Sequence, residues 1–232
     1  MPTSVCAFFL HLFLPGRSEA PQIWCGSALE TRLIGEKMTK SLVVSLVILL
    51  FMPTLATAGN QPKLNIPVIA RKAKYAVVSI VMFDRTGQPI SLGSGFFVSS
   101  DGRVVTNYHV IKSGASAKLR LGDGTHLAVD GVLAIDKNRD IAVIKAHGNH
   151  FHILQLGNSD RLQVGQEVVA IGNPLSLEST VSNGILSAVR TVEKRGRLLQ
   201  ITAPISPGSS GSPLFDMAGD VIGVTAASVN GG

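Results

Sequence analysis

An all-β fold is what this sequence predicts, and three observations predict it. Short runs rich in Val and Ile recur along the chain. Turn sequences such as Ser100-Asp101-Gly102 and Gly122-Asp123-Gly124 separate them, and 24 glycines are available for such turns among 232 residues. Few stretches carry a sustained helical period, and β-branched residues between Gly/Asp/Asn turns read as strands. The chain is 45% apolar and 16% charged, which excludes disorder as its main state and allows one moderate core or two small ones sharing an interface.

Taken in order, residues 1–37 hold apolar pieces broken by His11, Pro15 and Gly16, each too short to span a bilayer. Residues 38–58 have the layout of a secretory signal peptide. Met38-Thr39-Lys40 is the basic start, residues 42–52 are apolar except for Ser45, and Ala56-Thr57-Ala58 is the small-residue site after which cleavage is expected. Such a signal starts a protein, so Met38 reads as the initiator and residues 1–37 as an upstream extension. The apolar core falls short of the roughly 20 residues of a spanning helix, so no stable membrane insertion is expected after cleavage. Cys6 and Cys25 both precede the expected cleavage site, and with no cysteine from Gly59 onward a disulfide, a thiolate metal site and a cysteine nucleophile are excluded there.

Residues 59–74 read as a linker, polar at first and then a short helical lead-in over 66–74. Residues 75–152 carry a first set of strands, at 75–83, 89–99, 104–107, 117–121, 127–134 and 141–145, and this number suits a small closed barrel. Residues 153–232 carry a second set, at 167–171, 179–189, 197–202, 212–216 and 221–227, one strand short of the first. Closing a sheet removes its edges, so a barrel left open after 221–227 would expose one.

The chemistry gathers in three places. Pro207-Gly208-Ser209-Ser210-Gly211-Ser212-Pro213 is a serine turn whose glycines allow tight backbone and inward N–H groups. A serine needs an outside base to act as nucleophile, and acyl transfer needs donors for the oxyanion. Thr106-Asn107-Tyr108-His109-Val110 offers the base, and Asp140-Ile141-Ala142-Val143 the carboxylate that orients it; His109, Asp140, Ser210 is one of the chain orders in which such a triad occurs. Asp136 competes with Asp140, but it opens the turn Asp136-Lys137-Asn138-Arg139, where Asp serves turn chemistry alone.

Other motifs read as bland. His147, His150 and His152 invite a metal, yet a zinc site needs three or four converging ligands and a polar connection is the simpler home for them. Gly93, Gly95 and Gly102 precede no phosphate-binding helix start. The net charge of +6 is scattered, with clusters only at Arg71-Lys72-Lys74 and Lys194-Arg195-Arg197 that lack interleaved aromatics, so no nucleic-acid partner is expected.

The whole set resembles the HtrA (Deg) family of trypsin-like serine peptidases. The matching pieces are Gly93-Ser94-Gly95-Phe96-Phe97-Val98, Thr106-Asn107-Tyr108-His109-Val110, Asp140-Ile141-Ala142-Val143, Gly172-Asn173-Pro174, Gly184-Ile185-Leu186-Ser187 and Gly208-Ser209-Ser210-Gly211-Ser212-Pro213, in order through residues 75–227. Ser209 stands where the family usually has Asn, and Ser212 where Gly is commoner. The resemblance implies two six-stranded barrels of chymotrypsin type with the site between them, the second incomplete at the C-terminus, where the family continues with another strand and usually a PDZ domain. It implies His109, Asp140 and Ser210 as the triad, an oxyanion hole at Gly208, Ser209 and Ser210, and a substrate pocket along Gly223-Val224-Thr225-Ala226. It further implies an extracytoplasmic or periplasmic endopeptidase for unfolded or damaged polypeptides, with no cofactor or metal, and raises a homotrimer. The alternative is a catalytically silent binding or chaperone-like protein of the same fold, inert for want of the last strand.

Overall fold

The computed structural model describes residues 3–6, 63–172 and 180–226, all within one compact unit made of Met1–Leu14 and Pro62–Gly232. The signal-like segment and its expected cleavage site lie outside the described residues, as do Asn173 and Pro174. In chain order the elements are β1 (Thr3–Cys6), α1 (Ile66–Ala73), β2 (Val77–Phe83), β3 (Pro89–Ser99), β4 (Arg103–Asn107), α2 (Tyr108–Ile111), β5 (Ser116–Leu121), β6 (His126–Asp136), β7 (Ile141–Ala146), β8 (Glu167–Gly172), β9 (Thr180–Val192), β10 (Gly196–Ile201), β11 (Pro213–Phe215) and β12 (Val221–Val224).

Two closed barrels result, strictly antiparallel within each. The first runs β2-β3-β4-β7-β6-β5 and closes by pairing Val78 with Leu121 and Phe83 with Ser116. The second runs β1-β10-β9-β8-β11-β12. Its sixth place, for which the sequence offered no strand after 221–227, is held by β1: Thr3 pairs with Ile201, Cys6 with Leu198, and Cys6 also with Val224. The physical reason is that β10 and β12 each present an unpaired edge to the same gap, and a short extended segment satisfies both. Four residues so far from the rest of the barrel carried no sequence signal of this role.

Strand periodicity explains the core. Side chains alternate between the faces of a strand, and several strands here are buried on both. Val78, Ile80 and Met82 of β2, Phe97 of β3, Val104 of β4 and Ala142 and Ile144 of β7 fill the first barrel. Their sequence neighbours Val77, Phe96, Val105, Ile141 and Val143 turn the other way and join Val169, Ile171, Phe215, Val221 and Val224 in a cluster shared by the two barrels. Hence the nearly continuous apolar runs of β2, β7 and β8, in contrast to β6, which has no fully buried residue and one alternately half-buried face.

Helix α1 seals this shared cluster with Ile69 and Ala73. Asn65 caps it, its side chain accepting from the Val68 N–H at 3.1 Å, which satisfies one of the orphan donors of the first turn. Just before this cap Leu64 N–H donates to Met217 O at 2.7 Å, tying the start of the segment at residue 63 to the second barrel.

Candidate active site

His109 sits in α2, a single helical turn that breaks out at the end of β4. The sequence placed it after a β-prone run, and the helix adds a turn beside the loop before β7, the neighbouring strand of the same barrel. There Asp140 Oδ2 lies 2.6 Å from His109 Nδ1, and Asp140 Oδ1 accepts the backbone N–H of the same histidine at 2.8 Å. A carboxylate can only accept from the ring, so Nδ1 carries the hydrogen and Nε2 is left as the basic nitrogen.

Asp140 is held in an unusual conformation, with φ of 57°. A non-glycine residue there costs on the order of 1–3 kcal/mol and persists only when its surroundings fix it. Two donors do so: Asn107 Nδ2 at 2.9 Å and the Tyr108 N–H at 3.1 Å, both to Asp140 O. Thus the residues just before His109 grip the backbone of the acid, and the acid grips the ring and backbone of His109. Asp136, the competing carboxylate, is spent on its turn, accepting from the Arg139 N–H at 3.0 Å.

Ser210 is 7% exposed, in a turn flanked by Gly208 with φ of 89° and Gly211 with φ of 91°. Gly211 has a second reason to be glycine, because a Cβ there would lie 2.0 Å from Ser94 O. The turn meets the first barrel at Gly93, where a Cβ would stand 2.6 Å from the Val110 side chain and 3.1 Å from Ser210 O. The residue after His109 and the carbonyl of Ser210 therefore meet at the same glycine, which places the α2 turn beside the serine turn.

The loop's own bonds sort the oxyanion candidates. Ser209 N–H donates to Ser206 O at 3.0 Å, whereas no acceptor faces the Gly208 N–H among the described residues. Ser209, counted with the donors from the sequence, is thus turned away: its hydrogen closes the loop's own turn. The pocket expectation also needs correction at Thr225. Its side chain is fully buried and its Oγ1 donates to Ser209 O at 2.6 Å, with Ser212 O at 3.2 Å, so it supports the serine loop from behind. Gly223 and Val224 are buried in pairing with β11, and Ala226, at 8% exposure, is the least buried side chain of the four.

A family model described as the trypsin-like peptidase domain matches residues 93–224, more than half of the chain. The chain belongs to the trypsin-like peptidase family. Within it the similarity is to HtrA/Deg proteins. A Synechocystis protein named as serine protease HhoB is 45% identical over 142 residues, which cover 58% of this chain and 34% of the relative. A Pseudomonas fluorescens protein named as a DegP-like periplasmic serine endoprotease is 41% identical over 144 residues, covering 61% of this chain and 30% of the relative. The chain thus spans about a third of the curated relatives it matches. Among solved structures, that of Deg5 superposes with a TM-score of 0.62 at 33% identity, covering 71% of this chain and 85% of that one.

The other described histidines lie apart from this site. His147 Nδ1 lies 3.0 Å from Asp130 Oδ1 and His152 packs on Tyr75, with ring centroids 5.5 Å apart. Among the described residues no three His, Cys, Asp or Glu side chains converge as a metal site would require. Sequence reasoning missed three residues that the site leans on: Asn107, Thr225 in its actual place, and Ser94. Each lies inside a motif that was noticed, but a buried hydroxyl or amide declares its partner only in three dimensions.

Proposed function

We propose that this domain is a serine endopeptidase that hydrolyses polypeptides by a His109-Asp140-Ser210 triad. The observation that carries the reading is the double grip of Asp140 on His109, at Nδ1 and at the backbone N–H, which leaves Nε2 free to act as base beside the serine turn. Ser210 Oγ attacks the scissile carbonyl as His109 Nε2 takes its proton. Asp140 stabilises the imidazolium without itself being protonated. The imidazolium then gives the proton to the leaving amine, and water repeats the cycle on the acyl-enzyme. The N–H groups of Gly208 and Ser210 receive the oxyanion, each such donor being worth about 2.7–4 kcal/mol in the transition state.

The substrates we assign are unfolded or damaged polypeptides outside the cytoplasm. The order of residues 38–58 supports the location, and the periplasmic naming of DegP-like relatives supports it further. Residues 201–209 contain no acidic side chain to pair with a substrate Lys or Arg, so cleavage after small or medium aliphatic residues is expected. The test is labelling with a serine-directed fluorophosphonate together with a peptide-library profile. Ser210→Ala abolishes labelling and cleavage with an unchanged folded spectrum, and Ser209→Ala keeps most activity. A wild-type chain that folds but takes no label is instead a silent binding protein.

A further inference from the structure

We propose that Ser94, in β3 of the first barrel, is a positioning residue for the serine loop of the second barrel. The inference rests on the peptidase reading above, but its structural part does not. Ser94 is fully buried and meets the loop at each end. Its N–H donates to Ser210 O at 2.7 Å, and its Oγ donates to Gly208 O at 2.8 Å. Its carbonyl accepts from Thr106 Oγ1 at 2.7 Å and occupies the place a Cβ on Gly211 would need.

The consequence lies in the peptide planes. In a trans peptide the carbonyl and the N–H point to opposite sides. The plane between Gly208 and Ser209 is fixed at its carbonyl by Ser94 Oγ and at its N–H by Ser206 O. The plane between Ser209 and Ser210 is fixed by Thr225 Oγ1 on Ser209 O, which turns the Ser210 N–H the other way. The plane between Ser210 and Gly211 is fixed by Ser94 N–H on Ser210 O and by Gly211 N–H on Thr225 O.

Two side chains from opposite barrels thus hold one loop, Thr225 from its own barrel and Ser94 from across the cleft. The loop's own backbone adds little stiffness at Gly208, which populates positive and negative φ with equal ease. Of the bonds that keep the Gly208 carbonyl in place, that from the Ser94 hydroxyl is the one a single side-chain atom can remove. Without it the Gly208 to Ser209 plane is held at one end only, by Ser206 O, and as that plane loosens so does the aim of the neighbouring oxyanion donors.

The test is Ser94→Ala in the full chain, which deletes the hydroxyl and keeps the backbone bond to Ser210. Amide hydrogen exchange reads the latch itself: Ser209 N–H is expected to exchange at least about tenfold faster, with the protection of β2, β4 and β7 unchanged. Kinetics read its service to catalysis: kcat on a peptide substrate falls about tenfold with KM within twofold, less than the roughly 100-fold or more that follows loss of an oxyanion donor itself. Affinity for a peptidyl boronate, whose adduct is tetrahedral, falls in step with kcat, and Ser94→Thr, which restores a hydroxyl, recovers part of both losses. Unchanged Ser209 exchange overturns the latch. Faster exchange with unchanged kcat and boronate affinity overturns its role in catalysis, and so does an equal loss of KM and global protection, which marks a merely structural serine. If the wild-type chain takes no fluorophosphonate, the peptidase reading fails on its own, and the exchange arm alone decides whether Ser94 positions the loop.

Discussion

Asp136 and Asp140 are the same side chain four residues apart, and the structure separates them by what each carboxylate accepts. Asp136 takes the Arg139 N–H, while Asp140 takes both the ring and the backbone of His109. The sequence made this choice legible because a turn Asp and an Asp at the start of an apolar strand belong to different local patterns. It could not make Thr225 legible, since a threonine beside a pocket and a threonine behind a loop occupy the same place in the strand. Asp140→Asn is expected to lower kcat by about 10⁴, the effect of presenting the wrong tautomer to the serine, whereas Asp136→Asn leaves kcat within a fewfold. Steady-state peptide hydrolysis by the two variants checks the assignment, and equal losses would undo it. Gly211→Ala is expected to abolish fluorophosphonate labelling, because its Cβ would fall 2.0 Å from Ser94 O in a backbone at φ of 91°. Retained labelling there would mean that the loop is not seated on β3 as described.

At the scale of elements, the strands were legible and their partners less so. Period-two alternation marks a strand with one wet face, as in β6, but β8 buries both faces and reads only as an apolar run that could face anything. The cluster shared by the barrels is where that ambiguity resolves. Phe96 is fully buried in this cluster, two residues from Ser94 on the same strand. Truncating a buried Phe costs roughly 3–5 kcal/mol, a large share of the roughly 5–15 kcal/mol that holds a domain together. Phe96→Ala is therefore expected to lower the midpoint of urea denaturation sharply, and to reduce peptidase activity even at temperatures where the variant stays folded, since β3 carries the latch on the serine loop. Phe97→Ala, one residue on and facing the interior of the first barrel, should cost similar stability with a smaller effect on activity at matched folded fraction. Equal activity losses in the two would remove the shared cluster from the account of the site.

For the whole molecule the telling feature is which segment closes the second barrel. Cleavage after Ala58, as the signal-like order of residues 38–58 leads one to expect, takes β1 away with the leader. The N–H and C=O groups of residues 198–201 that β1 pairs with would then face solvent on one side of β10, and an unpaired edge invites another strand. The other side of β10 keeps its ladder to β9, from Gly196 with Val192 to Ile201 with Leu186, so the loss is of one ladder and not of the sheet. A chain beginning at Gly59 is accordingly expected to fold its first barrel as before, with unchanged amide protection in β2, β4 and β7. Amides of residues 198–201 that donated to β1 are expected to lose protection by at least about tenfold, and the second barrel to unfold at lower urea concentration than the first. Adding a synthetic peptide of residues 1–8 in excess should restore part of that protection, by mass action on the folded form. Full protection of residues 198–201 in the shortened chain, without the peptide, would show that β1 is dispensable for closing the barrel.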